Sequence, residues 1–227
     1  MKRFLIPFFL VLATCLNAQN AYEGVYHQTI SLPEEISMIE DEATRQALID
    51  DFAKMKTPYT FAFSDGKSFF RPVNITKAVI GTRSIIYVDY AAGKMVTQED
   101  VQGKMYLLNE KYVPGKWTIL DDTDTIAGYA CKKAVLGVDG EIVAWFTEEI
   151  PIPAGPMGYG SLPGLIVKLE MENMTYTLSS INPVKKVSVK APSGGKKVTR
   201  DELDKIIVEK AQQMGERPGG HVKVVNF

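Results

Sequence analysis

Short turns with glycine at their tips recur along the chain and constrain its fold more than any other feature of the sequence. They are Asp65-Gly66, Ala92-Gly93, Gln102-Gly103 and Asp139-Gly140. Each one borders runs with alternating apolar side chains, and glycine tolerates the positive φ that tight hairpin turns require. Sequential hairpins of this kind predict an antiparallel β-sheet built as a meander.

The run Leu165–Met171 is the clearest single strand. Apolar and charged side chains alternate along it, and successive side chains of a strand point to opposite faces of the sheet. The strand is therefore predicted to have one wet face and one dry face. The dry face, which we expect to contact any ligand held by the sheet, comprises Leu165, Val167, Leu169 and Met171.

Two segments have apolar residues at helical spacing instead. The first runs from Pro33 to Met55 and the second from Thr199 to Met214, where Thr199 and Glu202 form a capping box. The sequence therefore predicts an α+β fold in which two helices cover a curved antiparallel sheet. This element order is similar to that of the incomplete barrels of periplasmic lipoprotein carriers of the LolA type, an analogy of architecture alone.

The first 18 residues have the anatomy of a secretory signal peptide. Lys2 and Arg3 precede an apolar run that ends near Leu16, and Ala18 provides a small residue for cleavage. The run is shorter than the ~20 residues that a membrane-spanning helix needs, so no transmembrane span is expected. Residues 19–215 are predicted to form one β-rich domain, and residues 216–227 a flexible tail.

A rival interpretation of the leader concerns Cys15. The residues Leu12-Ala13-Thr14-Cys15 are close to a lipobox, whose cysteine would be acylated and would tether the protein to a membrane. Both the soluble exported form and the lipid-anchored form are therefore compatible with the sequence.

The composition excludes several classes of function. With 26 basic and 27 acidic residues, the chain has no net positive charge for binding nucleic acid. The sequence has no Ser–His–Asp, phosphate-loop or dinucleotide signature, so we expect neither an enzyme nor a cofactor.

A copper site is retained as an alternative, because thioethers and imidazoles bind copper. Its ligands would come from His27, His221, Met157, Met171 and Met174.

Other reactive side chains have simpler interpretations. Cys131 lies on a predicted strand and is expected to pack in the core, as most free cysteines do. The aspartates within residues 121–124 do not continue into an EF-hand loop. Glu148 and Glu149 are adjacent on a predicted strand and should point to opposite faces, which disfavours a paired-carboxylate hydrolase.

One stretch near the carboxyl end is strongly basic. This pattern is typical of a solvated loop before the last helix, or of a surface that faces anionic lipid headgroups. The stretch contains no acid, and its basic residues are Lys185, Lys186, Lys190, Lys196, Lys197 and Arg200.

The region from residue 126 to residue 166 is unusually rich in glycine, proline and aromatic residues. Its three blocks are Ile126–Ala134, Ala144–Pro153 and Ser161–Ile166. Pro151 and Pro153 cannot donate hydrogen bonds to a neighbouring strand, so a strand ending there exits the sheet or lies at its edge. Pro163-Gly164 has the signature of a type II turn.

These blocks resemble the GLPGLI family, also called Porph_ging, of exported proteins found mainly in Bacteroidota. The family motif is present at Ser161–Ile166 with serine in place of the first glycine. The resemblance implies an exported protein of the cell envelope, but it assigns no biochemical activity. The family-motif residues, expected to serve structure or interaction, are Gly128, Tyr129, Cys131, Trp145, Thr147, Pro151, Gly155, Pro156, Leu162, Pro163, Gly164, Leu165 and Ile166.

We therefore expect a non-enzymatic binding or carrier protein of the periplasm or cell envelope, which includes association with the outer membrane. Its ligand would be an apolar small molecule, a lipid or a lipid-modified partner. The main alternative is an assembly module that docks an envelope protein through the segment Trp145–Pro153, predicted as an edge suited to strand addition.

Overall fold

The computed structural model describes residues 21–73 and 84–213. The predicted signal peptide, the predicted tail and His221 lie outside these residues. Within the described part of the chain, no helix is both long enough and apolar enough to cross a membrane.

Within residues 21–73 and 84–213, twelve strands form a single sheet, accompanied by three α-helices and one short 3-10 helix. The strands are β1 (Ala21–Ile30), β2 (Thr57–Ser64), β3 (Lys67–Pro72), β4 (Ile85–Asp89), β5 (Lys94–Val101), β6 (Lys104–Lys111), β7 (Thr118–Ile126), β8 (Tyr129–Leu136), β9 (Ile142–Thr147), β10 (Leu165–Met171), β11 (Met174–Pro183) and β12 (Lys196–Lys197). The helices are α1 (Glu34–Ser37), α2 (Glu42–Lys54) and α3 (Arg200–Gln213), with the 3-10 helix at Pro156–Gly158.

The sheet consists of two meanders that join along one seam. Strands β1 to β6 are consecutive antiparallel neighbours, and so are β7 to β11. Antiparallel pairing of β1 with β11 joins the two meanders, while β12 adds two residues in parallel to β6. The predicted α+β fold with an antiparallel meander is confirmed, and the sheet does not close because β7 and β12 are its two ends.

One face of the sheet, called the inner face below, is covered by two separate elements. The first is residues 148–164, called the corner, whose buried Ile150 and Ile152 share a core cluster with Phe70. The second is α3, whose Leu203 packs with Leu108. Residues that pair directly across neighbouring strands point to the same face of the sheet. Phe70 pairs with Ile86 on β4, Ile86 with Thr97 on β5, and Thr97 with Leu108 on β6. The corner and α3 therefore lie on the same side of the sheet.

Aromatic rings fill the space between the inner face and the corner. Tyr59 and Phe70 stack with their centroids 4.8 Å apart, and Tyr176 meets both rings edge-on. Tyr26 is fully buried and donates a 2.7 Å hydrogen bond to the carbonyl of Ile166, while burial raises its pKa well above the usual value. The hydroxyl therefore remains a donor and ties β1 to β10.

The first predicted helical segment differs from expectation. It divides into α1 and α2, and Asp41 caps the second helix by accepting a 2.8 Å hydrogen bond from the Thr44 N–H. No side chain of α2 is buried, and Met38 and Met55 are 74% and 56% exposed. The apolar stripe of this segment therefore does not cover the sheet as predicted, because α2 has no buried contact with it.

Strand β10 has the predicted bounds, but its burial departs from simple alternation. Leu165, Ile166 and Val167 are all 0% exposed. The register against β9 shifts between Ile166 and Lys168. The first half of the strand is therefore buried on both faces, and the predicted wet face begins only at Lys168.

The prediction that Trp145–Pro153 forms a sheet edge is wrong. Strand β9 pairs with β10 on one side and with β8 on the other, so its backbone groups are not available for an added strand. The chain exits the sheet after Thr147, and the two prolines lie in the corner. Strand β7, not β9, forms the edge of this meander.

Candidate functional site

The corner holds six of the thirteen family-motif residues and is shaped by its prolines. The Ile152 N–H donates to the Ile150 carbonyl, and the Ala154 N–H donates to the Ile152 carbonyl, each at 2.8 Å. These tight turns have Pro151 and Pro153 at their centres, where the pyrrolidine ring fixes a suitable φ. Both prolines are exposed, while Ile152 between them is buried.

Glycine is required at position 164 because the backbone of Thr147 lies very close to it. A Cβ atom added to it would lie 1.9 Å from the carbonyl oxygen of Thr147. Its φ is not positive, whereas a type II turn needs a positive φ at that position. The predicted type II turn at Pro163-Gly164 is therefore wrong. Gly155 is similarly constrained, because an added Cβ would lie 2.6 Å from the Cβ of Ile166.

Side chains from the link between the two meanders hold the corner in place. The Trp117 Nε1–H donates a 2.8 Å hydrogen bond to the Gly160 carbonyl. The Tyr112 hydroxyl lies 2.9 Å from the Ser161 hydroxyl, and Ser161 has a φ of 69°. Ser161, at the position where the family motif has glycine, therefore has a left-handed backbone conformation, and its side chain is hydrogen-bonded to Tyr112. These contacts make the corner a structural element.

Leu165 and Ile166 begin β10, and the other five motif residues lie on β8, β9 and the β7–β8 turn. Gly128 has a φ of 85° in the tight turn between β7 and β8. Cys131 is 2% exposed, its Sγ lies 3.4 Å from the Tyr129 carbonyl, and burial raises the pKa of its thiol. The thiol is therefore protonated at neutral pH and packed, as the sequence predicts.

An open groove of about 540 Å³ lies above Cys131. It follows the carboxyl end of β7, the start of β8 and the exit of β9. Its lining combines hydroxyl, carboxylate and ammonium groups around one aromatic ring. The lining residues are Thr123, Asp124, Thr125, Ala130, Cys131, Lys132, Phe146, Glu148 and Glu149.

The groove exists because β8 and β9 separate at this point. Their pairing begins at Lys132 and Phe146, so Ala130 has no main-chain partner on β9. The Glu149 carboxylate accepts a 2.9 Å hydrogen bond from the Ala130 N–H instead, and the Lys132 Nζ lies 2.9 Å from a Glu148 carboxylate oxygen. Each carboxylate therefore has a defined orientation along the groove.

Both glutamates line the same groove, contrary to the prediction that they point to opposite faces. The physical reason is that β9 ends at Thr147, so the alternation of a strand does not extend to Glu148 and Glu149. Thr123, Thr125 and Lys132 were not among the predicted site residues. The signal that could have found them is the sequence of β7, which has no continuous apolar face and is typical of an edge strand.

The predicted ligand-facing residues lie elsewhere. Leu165, Val167 and Leu169 have no exposed surface within the core cluster, and Met171 packs against its margin. The groove over β7–β9 contacts none of them. A second groove, of about 360 Å³, lies at α1 and α2 and contacts none of them either.

The residues considered for copper are not gathered at one place. Met157 packs with Ile86 and Val88 on the inner face, whereas Met171 pairs with Met174 beside the β10–β11 turn. The Met174 sulfur accepts a hydrogen bond from the Gln28 amide at 2.9 Å. In residues 21–73 and 84–213, no group of three His, Cys, Asp or Glu side chains is arranged to hold a metal ion.

One buried carboxylate lies outside the groove. Glu99 on β5 is 6% exposed and accepts a hydrogen bond from the Ser84 hydroxyl. Burial raises its pKa, and the nearby Arg200 guanidinium partly offsets that rise. Because Arg200 also binds Glu110 at 2.6 Å, this cluster anchors the start of α3 to the sheet.

A sequence model of the family described as "N-glycanase peptide, N-terminal domain" matches residues 87–206, more than half of the chain. The chain belongs to this family. The match runs from β4 into α3 and includes the corner and the groove. No curated protein matches the chain.

Two solved structures of PNGF-II support the same fold for this member of the N-glycanase N-terminal domain family. The structure in the P21 space group has 14% sequence identity and a TM-score of 0.57, and it covers 84% of this chain. The structure in the C2 space group has 14% identity and a TM-score of 0.56. The chain spans about a third of the length of these proteins (34% and 33%). The resemblance to the GLPGLI family stays a prediction.

Proposed function

We propose that this protein is an exported, non-catalytic recognition protein of the cell envelope. Its binding site would be the groove over β7–β9, and its ligand a hydroxyl-rich molecule such as the glycan of a glycopeptide. The observation that carries the proposal is the lining of the groove, which combines Thr123 and Thr125 with the charged residues Asp124, Lys132 and Glu148. Hydroxyls, carboxylates and ammonium groups exchange hydrogen bonds with sugar hydroxyls.

Family membership supports the class of ligand. The family's name refers to N-glycanases, whose substrates carry glycans, and the part matched is their N-terminal domain. Binding without catalysis is supported by the fixed groups of the groove. Glu148 is paired with Lys132, and Glu149 is bound to the Ala130 N–H, an arrangement that orients a ligand. Export is supported by the predicted signal peptide.

The groove replaces the two sites that the sequence favoured. A carrier of an apolar ligand would use Leu165, Val167 and Leu169, but a ligand reaches these side chains only if the packed core opens. An assembly module would use the segment after Trp145, but β9 is paired on both sides. A peptide attached to the glycan would instead lie along β7, the strand at the end of the sheet.

Calorimetric titration of the purified protein tests the proposal. The three ligands are a glycopeptide, the same peptide without its glycan, and the released glycan. We expect the glycopeptide and the glycan to bind and the bare peptide to bind weakly. The double variant Thr123→Ala/Thr125→Ala should bind about thirtyfold more weakly, since each lost hydrogen bond is worth about 1 kcal/mol. The matched control is Thr118→Ala/Thr177→Ala, which changes two threonines outside the groove.

Three results would contradict the proposal in different ways. Equal weakening by the control variant would place the site elsewhere. Equal binding of the bare peptide would mean that the protein recognises main chain, through the edge of β7. Release of free glycan from the glycopeptide, measured by mass spectrometry, would make the protein an enzyme.

A further inference from the structure

We infer that the outer face of β3–β6, opposite the corner and α3, docks onto anionic lipid headgroups. The surface in question, called the basic surface below, is formed by Arg71, Lys94 and Lys111 on the strands and by Lys190 on the segment that crosses them. This inference does not depend on the groove, which lies on β7–β9.

A row of charged residues runs across four strands of this face. Lys67 pairs with Asp89, Asp89 with Lys94, and Lys94 with Lys111. Asp89 lies 3.9 Å from the Lys67 Nζ, so that acid already has a partner. The exposed Lys94 and Lys111 are left directly opposite each other, and like charges in that position repel. An anion placed over the pair would relieve the repulsion.

The segment 184–195 adds further positive charge to the same face. Val189 packs in a cluster with Phe69 and Tyr87, and the Gln98 amide donates a 2.7 Å hydrogen bond to the Gly194 carbonyl. The segment is therefore fixed against the outer face with its lysines directed away from the packed side. The exposed lysines are Lys185, Lys186 and Lys190.

Two other charges of the basic run interact with acids of the same molecule. Arg200 binds Glu110. Hydrogen bonds from Thr199 lower the pKa of the Glu202 carboxyl, and the nearby charge of Lys196 adds to that effect. By contrast, no ion pair in the described part of the chain involves Lys94, Lys111 or the lysines of the crossing segment. These charges are available to an external partner.

The shape of the surface favours a membrane over a compact anion. Four neighbouring strands spread the charges over about 15 Å, given a strand spacing of ~4.8 Å. Neither of the two grooves described above contacts Lys94, Lys111 or Lys190, so the charges do not converge on a single bound group. A leaflet of anionic lipids presents a similarly dispersed array of negative charge.

Sedimentation with vesicles tests the inference on the processed protein, whose intact mass must first show that no acyl chain is attached. We expect binding to vesicles of 30% phosphatidylglycerol in phosphatidylcholine, no binding to pure phosphatidylcholine, and a steep loss of binding as salt is raised. The variant Lys94→Gln/Lys111→Gln/Lys190→Gln should bind about a hundredfold more weakly, at about fivefold per lysine.

The control variant Lys56→Gln/Lys116→Gln/Lys205→Gln removes the same charge from exposed lysines elsewhere and should bind as the unmodified protein does. Equal losses in the two variants would overturn the inference, because net charge alone would then explain binding. Failure to bind the anionic vesicles would also overturn it. Binding to soluble polyphosphate or DNA without vesicle binding would assign the surface to a different partner. Thermal melts of both variants would verify that they are folded.

Discussion

At the scale of single residues, two glycines are required for different physical reasons. Gly128 has a left-handed φ of 85°, but an added Cβ would meet no atom within 4 Å. Gly164 has an ordinary φ, but its backbone lies against the Thr147 carbonyl. The first glycine is needed for a conformation and the second for a close approach, and substitutions distinguish the two.

Gly164→Ala should destabilise the protein by about 3 kcal/mol or more, because a fixed backbone carbonyl must shift to admit the Cβ. Gly128→Ala should destabilise the protein by only about 1–2 kcal/mol, because the alanine must adopt a left-handed φ but its Cβ meets no neighbouring atom. Urea unfolding of both variants provides the free energies. A Gly164→Ala variant as stable as Gly128→Ala would show that the corner moves easily and would contradict the rigid contact.

Sequence reasoning succeeded at residues whose role is local and failed where the role depends on a distant partner. Thr199 and Glu202 form the predicted capping box, with the Glu202 carboxylate accepting from the Thr199 N–H at 2.8 Å. Pro163-Gly164 looks like a type II turn only if its neighbours are ignored. The carbonyl of Thr147, 17 residues earlier, decides that position, and no local pattern reveals it.

At the scale of elements, α2 and α3 have similar apolar spacing but different surroundings. Leu203 on α3 is 1% exposed and packs with Tyr106 and Leu108. Leu48 on α2 is only half-buried, and α2 buries no side chain. Periodicity indicates which side of a helix is apolar, but it cannot indicate whether another element covers that side. For this reason both helices were predicted and only the role of α3 was predicted correctly.

Leu203→Ala should destabilise the protein by about 2–5 kcal/mol, because it leaves a cavity between α3 and the sheet. Leu48→Ala, the same substitution on α2, should cost less than about 1 kcal/mol, since the site is already open to water. Thermal or urea unfolding of the pair measures the difference. If both variants lost the same stability, α2 would have to pack against the protein more tightly than the structure shows.

The hairpins were the most predictable elements. All four glycine-tipped turns connect neighbouring strands, because hairpin geometry is set by the residues of the turn itself. The groove was not predictable in the same way. It depends on the separation of β8 from β9 before Lys132, which is a property of pairing and not of either strand alone.

At the scale of the whole molecule, the corner connects the two meanders. Its buried residues share one core cluster with Phe61 and Phe70 from the first meander and with Phe146 and Leu165 from the second. Trp117 and Tyr112, in the link between β6 and β7, hydrogen-bond to it. We therefore expect the described fold to unfold as one unit, although the sheet itself could be divided at the β1–β11 seam.

The variant Trp145→Phe tests this expectation, because it leaves Trp117 as the single tryptophan at the corner. Its fluorescence and the far-ultraviolet circular dichroism of the sheet should give the same urea midpoint, within about 0.2 M if unfolding is two-state. Two separated transitions would mean that one meander survives without the corner. Repeating the measurement with Trp117→Phe, which retains Trp145 on β9, controls for an effect of the substitution itself.

The position of β1 in the middle of the sheet also determines the order in which the chain can complete its fold. The hairpins of each meander form from residues close in sequence, but Tyr22 pairs with Pro183 and Ile30 with Met174. Contacts across such long loops form slowly compared with local ones. If the chain begins to fold from its amino end, one edge of β1 has no partner strand until the last third of the chain is present. Tyr176 and Ile166, which complete the aromatic core around Tyr26, arrive with that same last third. We therefore expect the seam between the meanders to form late in folding. A chain exported as we propose would then remain incompletely folded for most of its transfer across the membrane.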